Sequence, residues 1–225
     1  MSSKQNLVWI DLEMTGLDPK KYTILEICAA VTDRYLNLIG VGPSIAIHHP
    51  EKVLRSMEPW SKHHHEKSGL TQASRASKIN LKKAERRVLD FMKTYSTPKS
   101  SPLCGNSIWH DRRFLIEYMP KLESYLNHRM IDVSSVKELV NRWYSASDRM
   151  PKGTKTETHR AEDDILESIE ELKFYRSKVF VKKGMLDEVM VTLGHEIGHV
   201  ISPTLKDARN EEAKAFAFSI EWTKT

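Results

Sequence analysis

The chain has 225 residues, enough for one full domain with a short appendage and for a sizeable hydrophobic core. Its formal net charge is +5 and its isoelectric point is about 9.1, which suits a polyanionic partner, although the basic residues are dispersed. Apolar runs are too short to span a membrane and the MSSKQN start lacks a signal-peptide core, so membrane and secreted proteins are disfavoured.

The two cysteines, Cys28 and Cys104, lie within apolar, strand-like segments. We interpret them as reduced, buried thiols rather than as a disulfide framework. Together with the missing membrane segment, this predicts a soluble protein of the cytoplasm.

The first predicted strand, in LVWIDLEMTG, carries two acidic residues. Alternation places Asp11 and Glu13 on one face of this strand and Leu12 on the other. Two like charges side by side destabilise a folded protein unless a cation neutralises them, so the pair indicates a metal site. A strand that simply runs out into a solvated acidic turn, GLDPKK, is the alternative.

The remaining pattern is that of an α/β domain, with strands and amphipathic helices over residues 1–181 and a short helical extension over residues 182–225. Five strands are predicted at Leu7 to Leu12, Ile24 to Thr32, Leu36 to Ile47, Pro102 to Gly105 and Arg129 to Ile131, the first three as a meander. Helices are predicted at Leu81 to Tyr95, Arg112 to Tyr118, Ser134 to Trp143 and Asp163 to Arg176. Tyr144 to Thr158, rich in small and polar residues, is predicted to be a mobile loop.

Three further chemical groups follow along the chain. Asp111, in GNSIWHDRRFL, opens the helix after the fourth strand, and Asp164 lies near the start of the last predicted helix. His159 precedes that helix, at a position from which it could accept a proton from an attacking water. The alternative is that His159 and the acidic residues 162–164 cap a helix N-terminus.

Taken together, these groups indicate a two-metal nuclease site. In-line attack on a phosphodiester uses two hard cations about 3.5–4 Å apart, and carboxylate oxygens suit Mg²⁺ or Mn²⁺. Carboxylates from strand ends and helix starts can converge at one edge of an open α/β sheet. A nucleic-acid binding module with a disabled site remains a rival hypothesis, against which the intact acidic residues argue.

The motifs DLEMTGLDP, LEICAAVTD, CGNSIWHDRRFL, MIDVSSVKEL and HRAEDDILESIEELKFYR resemble, in order and spacing, the oligoribonuclease family of DEDDh 3′-to-5′ exonucleases. The resemblance runs from about Leu7 to about Phe180 and implies an RNase H-like fold. It also implies hydrolysis of short RNAs, down to dinucleotides, to 5′-mononucleotides. By this resemblance Asp11, Glu13, Asp111 and Asp164 hold two divalent ions, with His159 as the general base. The five-residue spacing from His159 favours Asp164 over Asp163.

The same resemblance implies a pocket for a short, single-stranded RNA. The matching positions, for base stacking and for 5′-phosphate binding, are Leu17, Trp60, His65, Ser107, Arg129 and Ser134. For Leu17 and Trp60 a place in the core is the alternative, and for His65 a place in a solvated histidine run. The resemblance also implies a homodimer, in which a tyrosine of one subunit reaches the substrate of the other. This chain departs from the family by having His128 at that position, where an imidazole can still stack or donate a hydrogen bond. Family members serve both cytosol and mitochondria.

The C-terminal region contains a different motif, LGHEIGHVI. Its HExxH pattern places His195 and His199 on one helical face with Glu196 as a base, and Glu211 or Glu212 could supply a third Zn²⁺ ligand. The region resembles a fragment of a zincin metallopeptidase. The alternatives are a helical hairpin packed on the nuclease or a fused remnant, and a structural or regulatory zinc site. A region of this size is too short for an independent peptidase cleft.

Overall fold

A computed structural model of the chain describes residues 5–151 and 160–180. Within this part of the chain six strands form one mixed sheet. The strands are β1 (Leu7–Met14), β2 (Ile24–Thr32), β3 (Leu38–Val41), β4 (Ile45–Ala46), β5 (Leu103–Gly105) and β6 (Met130–Asp132). Their spatial order is β3-β2-β1-β5-β6, with β4 also paired to β2.

The helices of the described residues surround this sheet. They are α1 (Glu51–Arg55), α2 (Pro59–Lys67), α3 (Leu70–Ala76), α4 (Leu81–Tyr95), α5 (Trp109–Tyr118), α6 (Pro120–Tyr125), α7 (Val133–Trp143) and α8 (Ala161–Lys178), with a 3₁₀ turn at Ala146–Asp148. Along the described chain, none of these helices is both long and apolar enough to cross a bilayer.

Strand β1 lies at the centre of the sheet and is antiparallel to β2 and parallel to β5. Its alternation decides what each face of the sheet carries. Val8, Ile10 and Leu12 point into the main hydrophobic core, where they pack with buried residues of α4, α5 and α6. This face therefore supplies most of the apolar burial that stabilises the domain.

The opposite face of the sheet is mixed in character. Trp9 is fully buried there, and its indole N–H donates to Oγ1 of Thr32 over 3.1 Å. Asp11 and Glu13 follow on the same face of β1. Helix α8 buries an apolar stripe at helical spacing, consisting of Ile165, Ile169, Leu172 and Tyr175. The acidic pair therefore lies on the face of β1 that the main core leaves free.

The predicted α/β, RNase H-like architecture is confirmed, but the sheet has six strands instead of five. The predicted third strand, Leu36 to Ile47, was wrong because it is two short strands, β3 and β4. Pro43 lies between them and has no backbone N–H to donate to a neighbouring strand. The first three strands do pair in succession, as the meander predicts.

Most other predicted elements agree with the structure to within a few residues. The long helix α4 has the predicted bounds, whereas α5 begins three residues earlier than predicted and α8 two residues earlier. The short helices α1, α2, α3 and α6 were not predicted. Helix α2 reads PWSKHHHEK and has no apolar period that a sequence pattern could detect. The predicted helical extension over residues 182–225 lies outside the described residues.

A buried glutamate links α4 to α6. Glu85 is 7% exposed, and its Oε1 accepts hydrogen bonds from the backbone N–H groups of Lys121 and Leu122 at 2.7 and 3.2 Å. These N–H groups belong to the first turn of α6, where a helix has no partners of its own. We expect Glu85→Ala to destabilise the fold by about 1–3 kcal/mol, because it leaves both donors unpaired.

Urea unfolding measures this effect. Glu85→Gln keeps an acceptor oxygen and is expected to lose less stability than Glu85→Ala. Glu117→Ala, on the exposed side of α5, is the matched control and is expected to change stability by less than about 0.5 kcal/mol. Equal losses of unfolding free energy in Glu85→Ala and Glu117→Ala would show that the hydrogen bonds of Glu85 to the start of α6 do not stabilise the fold.

Candidate active site

Three carboxylates meet on the free face of β1. Asp11 and Glu13 come from alternate positions of the strand, and Asp164 comes from the first turn of α8. One oxygen from each of the three lies within 4.8 Å of the other two. The sequence places Asp164 some 150 residues after the pair, and the packing of α8 on the sheet brings it back. The predicted convergence of these three residues is confirmed.

The fourth predicted ligand, Asp111, lies in the first turn of α5 and is 5% exposed. Its Oδ1 accepts a hydrogen bond from the backbone N–H of Leu12 over 2.9 Å, which fixes the carboxylate beside the acidic stretch of β1. The side chain of Leu12 itself points into the core from the central strand of the sheet. The Asp111 carboxylate is close enough to Asp11 to raise the pKa of that residue.

The electrostatics of this cluster are unfavourable without a cation. Burial, and then the charges of Asp164 and Glu26, raise the pKa of Glu13 to about 9. Burial raises the pKa of Asp111 to about 8, against the opposing effect of its hydrogen bond from Leu12. Burial, followed by Asp111 and Glu13, holds the pKa of Asp11 well above its usual range. The metal-free cluster therefore retains protons at neutral pH.

These features fit divalent cations. Hard cations such as Mg²⁺ prefer oxygen ligands, and a buried group of carboxylates becomes stable when positive charge replaces its protons. The three oxygens within 4.8 Å of one another can share one ion, and Asp111 supplies a further carboxylate nearby. The alternative of a solvated acidic turn is wrong, since Asp11 and Glu13 are not exposed.

His65 lies beside Glu13. The imidazole is 1% exposed, its Nε2 is 2.9 Å from the carbonyl oxygen of Met14, and its Nδ1 is 3.7 Å from Oε2 of Glu13. Because a carbonyl only accepts, Nε2 carries a hydrogen and donates it, which turns Nδ1 toward the Glu13 carboxylate. The alternative of a solvated histidine run is therefore wrong for His65, which is buried against the end of β1.

Two large apolar side chains are exposed where β1 ends. Leu17 is 56% exposed and Trp60 is 60% exposed, so the alternative of ordinary core residues is wrong for both. The backbone N–H of Glu58 donates to the carbonyl of Thr15 over 2.9 Å, which ties the start of α2, and thus Trp60, to the segment that carries Leu17. Exposed apolar surface beside an acidic cluster is suited to stacking against bases.

Ser107 and Ser134 are brought together by the fold. Their Oγ atoms are 3.1 Å apart, and the backbone N–H of Ser107 donates to Oγ of Ser134 and to Oδ1 of Asp132. Ser107 has φ 50°, a left-handed backbone that costs a non-glycine residue about 1–2 kcal/mol. Asn106 accepts from the Ser134 hydroxyl over 3.1 Å. Because the Ser134 hydrogen goes to Asn106, the Ser107 hydroxyl is the member of this anchored pair that can turn its hydrogen to a phosphate oxygen.

His128 and Arg129 lie just before β6, and both side chains are exposed. The carbonyl of His128 accepts from the guanidinium of Arg112 over 3.1 Å, so the backbone at this point is held while the imidazole remains outside the core. The structure therefore leaves both side chains accessible to a substrate or to a second subunit.

Comparison with known proteins assigns the family. The RNase_T family model, described as an exonuclease, matches residues 8–172. An oligoribonuclease of Dichelobacter nodosus is 49% identical over 181 residues, which cover 80% of this chain and 98% of that protein. An oligoribonuclease of Acinetobacter baylyi is 47% identical over 184 residues, covering 81% of this chain and 100% of that protein. The chain belongs to the oligoribonuclease family of exonucleases.

Solved structures support the same fold at greater distance. A structure of exonuclease I has a TM-score of 0.58 at 15% identity, and covers 88% of this chain and 46% of that one. Exonuclease I of Methylocaldum szegediense has a TM-score of 0.54 at 15% identity, covering 92% of this chain and 49% of that one. The chain spans about half the length of these exonuclease I chains, so the likeness concerns the exonuclease fold alone.

The predicted general base of the oligoribonuclease family, His159, lies outside the described residues, as do residues 152–158 of the predicted mobile loop. Of that loop the structure describes Tyr144 to Pro151, which contains the 3₁₀ turn. The role of His159 therefore stays a prediction.

The HEIGH segment also lies outside the described residues, with His195, Glu196, His199, Glu211 and Glu212. The family match ends at residue 172 and does not include it, so the metallopeptidase alternative gains no support. Zinc binding by this segment stays a prediction, which metal analysis of the purified protein can test.

Four site residues escaped the sequence analysis. Asp132 and Asn106 hold the serine pair, while Glu26 and Arg160 form an ion pair next to Glu13. Glu26 could have been noticed, because a charge inside the apolar run ILEICAAVT predicts a buried carboxylate that needs a partner. Asp132 ends an apolar run and caps α7, so an N-cap signal could have found it. Nothing in the sequence around Asn106 and Arg160 distinguishes them from surface residues.

Proposed function

We propose that the chain is a divalent-metal-dependent 3′-to-5′ exoribonuclease that degrades short oligoribonucleotides, ending with dinucleotides, to 5′-mononucleotides. The observation that carries the proposal is the convergence of oxygens of Asp11, Glu13 and Asp164 within 4.8 Å. Membership of the oligoribonuclease family, with about half of all residues identical over nearly the whole length of those relatives, gives this convergence its meaning.

Two Mg²⁺ or Mn²⁺ ions would be held by the carboxylates of Asp11, Glu13, Asp111 and Asp164. When bound, they supply the Lewis acidity and the positive charge that phosphodiester hydrolysis requires. The chain itself contributes rigidity: β1 is the central strand of the sheet, and Asp111 is anchored to the backbone of Leu12. A site held on such elements keeps its geometry through the reaction.

His159 would take the proton of the attacking water, a task suited to an imidazole that titrates near neutral pH. Its position next to Arg160 in the sequence supports this role, since Arg160 lies beside Glu13 and Glu26. His65, which the family resemblance assigns to the substrate pocket, is buried beside Glu13, and its packing would restrict where the Glu13 carboxylate can lie.

The substrate would be a short single-stranded RNA. Leu17, Trp60 and His128 present exposed side chains to bases. Ser107 and Ser134 would line the 5′-phosphate site, where the Ser107 hydroxyl would donate to the phosphate together with Arg129. A homodimer, in which His128 of one subunit reaches the substrate of the other, and a cytoplasmic or mitochondrial location remain parts of the proposal. Gel filtration tests the first of these.

The proposal is tested with a 5′-labelled RNA heptamer in Mg²⁺. We expect the label to appear in successively shorter products, each one nucleotide shorter at the 3′ end, and EDTA to stop the reaction. Cleavage at internal positions, or cleavage that EDTA leaves unchanged, would contradict a metal-dependent 3′-to-5′ exonuclease.

Arg129 provides a separate test of substrate binding. We expect Arg129→Ala to raise the KM for a 5′-phosphorylated RNA dinucleotide by about 10-fold to 100-fold, because a hydrogen bond to a charged group contributes about 1.5–3 kcal/mol. The kcat should change much less, since the side chain does not belong to the carboxylate cluster. Steady-state kinetics measures both values. Arg87→Ala, exposed on α4, is the control and should leave KM unchanged. An unchanged KM in Arg129→Ala would remove this residue from the phosphate site.

A further inference from the structure

Glu26 is a buried charge next to the carboxylate cluster. It is 0% exposed and lies in β2, directly opposite Glu13 in the register of the antiparallel pair β1–β2. Directly opposed like charges destabilise a sheet, and a buried carboxylate is unfavourable unless it is paired and hydrogen-bonded. A residue with these costs at this position requires a compensating interaction.

The compensation comes from the start of α8. The guanidinium of Arg160 donates from Nε to Oε2 of Glu26 over 3.0 Å and from a terminal nitrogen to Oε1 over 2.6 Å. The backbone N–H of Ala161, the first residue of α8, also donates to Oε2, over 3.3 Å. Ser44 completes the set with a hydroxyl donation to Oε1 over 3.0 Å. This is a two-pronged arginine–carboxylate contact, which fixes orientation as well as distance.

The contact reaches the site through α8. The carbonyl of Arg160 accepts the backbone N–H of Asp164 over 3.1 Å, in the first turn of the helix. Arg160, whose side chain is bound by Glu26, therefore also holds the backbone of Asp164 through this hydrogen bond. On its other side Arg160 is joined by its peptide bond to His159.

We propose that Glu26 and Arg160 are positioning residues, a buried clamp that holds the start of α8 so that Asp164 meets Asp11 and Glu13. The clamp also fixes the point of the chain next to His159. This inference rests on the proposed function, because it assigns these two residues a task in building the metal site of that reaction.

The charges agree with this role. Glu26 adds a carboxylate to a face that already carries Asp11, Glu13 and Asp164, and it contributes to the raised pKa values of Asp11 and Glu13. Arg160 acts in the opposite direction on Glu13. A clamp made of two apolar residues would lack this countercharge, and one made of a glutamate alone would add to the repulsion.

Two variants test the clamp. Glu26→Gln keeps the shape of the side chain but turns an acceptor oxygen into a donor that faces the guanidinium. Arg160→Lys keeps the positive charge but loses the paired N–H donors of the guanidinium. It therefore tests whether the two-point geometry matters in addition to the charge. Glu51→Gln is the matched control, because Glu51 pairs with Nε and a terminal nitrogen of Arg75 in the same manner but is exposed.

The readouts are Mn²⁺ binding to the substrate-free protein by calorimetry, and the kcat and KM for an RNA dinucleotide. Loss of a group that orients metal ligands weakens metal affinity or activity by about 10–100-fold. We expect both clamp variants to bind Mn²⁺ at least about 10-fold more weakly and to lose kcat, with KM changed much less. The double variant should be no worse than the worse single variant, since both act through one contact. Glu51→Gln should match the wild type.

Folded clamp variants, verified by thermal unfolding, that bind Mn²⁺ and turn over RNA as the wild type does would overturn the proposal. If Glu26→Gln fails to fold, Arg160→Lys decides, because its side chain is 38% exposed and keeps its charge. A wild-type protein without activity on RNA would defeat the proposed function instead. The Mn²⁺ binding of the variants would still confirm or overturn the clamp in that case.

Discussion

Asp11→Asn is expected to reduce Mg²⁺-dependent RNA hydrolysis by more than about 100-fold and, at the same time, to raise the melting temperature of the metal-free protein. Activity falls because the variant removes a carboxylate from the three-oxygen cluster with Glu13 and Asp164. Stability rises because Asp11 is half-buried among other carboxyl groups, and burial, followed by Asp111 and Glu13, holds its pKa well above its usual range. A neutral amide of the same shape needs no proton to be neutral, so the variant avoids the free-energy cost of protonating Asp11 at neutral pH.

Lower activity together with a higher melting temperature indicates a functional residue, because loss of a structural residue would lower both. A rise of about 2–4 °C in melting temperature corresponds to roughly 1 kcal/mol in a chain of this size. Asp90→Asn, at an exposed position of α4, is the matched control and should leave both activity and melting temperature unchanged. An Asp11→Asn variant that remains active, or one that loses activity because it is less stable, would contradict the assignment of Asp11 to a metal site.

Metal-free protein is expected to become less stable as the pH rises from about 6 to about 9. The pKa of Glu13 is raised by burial to about 9 and that of Asp111 to about 8, both far above the ordinary values of 4.5 and 3.8. Between those ordinary values and the raised ones, the folded state binds more protons than the unfolded state. The stabilisation from these protons is complete below the ordinary pKa values and is lost as the pH rises through about 8 to 9.

Mg²⁺ should reverse this trend, because it replaces the protons in the cluster and binds more tightly as they leave. Melting temperatures recorded with EDTA and with Mg²⁺ across this pH range provide the measurement. The gap between the two curves should widen toward high pH, and Glu13→Gln should narrow it. A gap that does not depend on pH would show that metal ions do not compete with protons at these carboxylates.

Elements whose apolar residues recur with a regular strand or helix period were predictable from the sequence. Alternation in LVWIDLEM places Asp11 and Glu13 together on one face of a strand, and the structure shows that face free of the main core. The apolar spacing of Ile165, Ile169 and Leu172 predicts a helix, and the structure packs α8 so that Asp164 reaches β1. For β1 and α8, the face predicted from the local sequence pattern is also the face that makes the tertiary contacts.

Other features depend on contacts that no local pattern encodes. The predicted third strand is split at Pro43. The prediction gave more weight to the apolar residues on either side of this proline than to the proline itself. His65 is buried although it ends a run of three histidines, because α2 packs that side against the end of β1. The clamp of Glu26 with Arg160 joins residues separated by 134 positions. Only the packed structure places such residues side by side.

The carboxylates of the cluster were easier to predict from the sequence than the residues that hold Ser107 and Ser134 in place. The carboxylates of the cluster stand out by type and spacing, whereas the sequence around Asn106 and Asp132 does not show what these two residues contact. Their role appears only when their hydrogen bonds to Ser134 and Ser107 are seen. The motif resemblance supplied Ser107 and Ser134 themselves, which lie 27 residues apart in the chain.

The measurement that tests the central claim most directly is a time course with a labelled RNA dinucleotide and the wild-type 225-residue chain, in Mg²⁺ and in Mg²⁺ with excess EDTA. The account predicts conversion to 5′-mononucleotides with Mg²⁺ and none with EDTA, and no conversion by Asp164→Asn in either condition. An intact dinucleotide in Mg²⁺ with a folded protein, or equal conversion by Asp164→Asn, would contradict it.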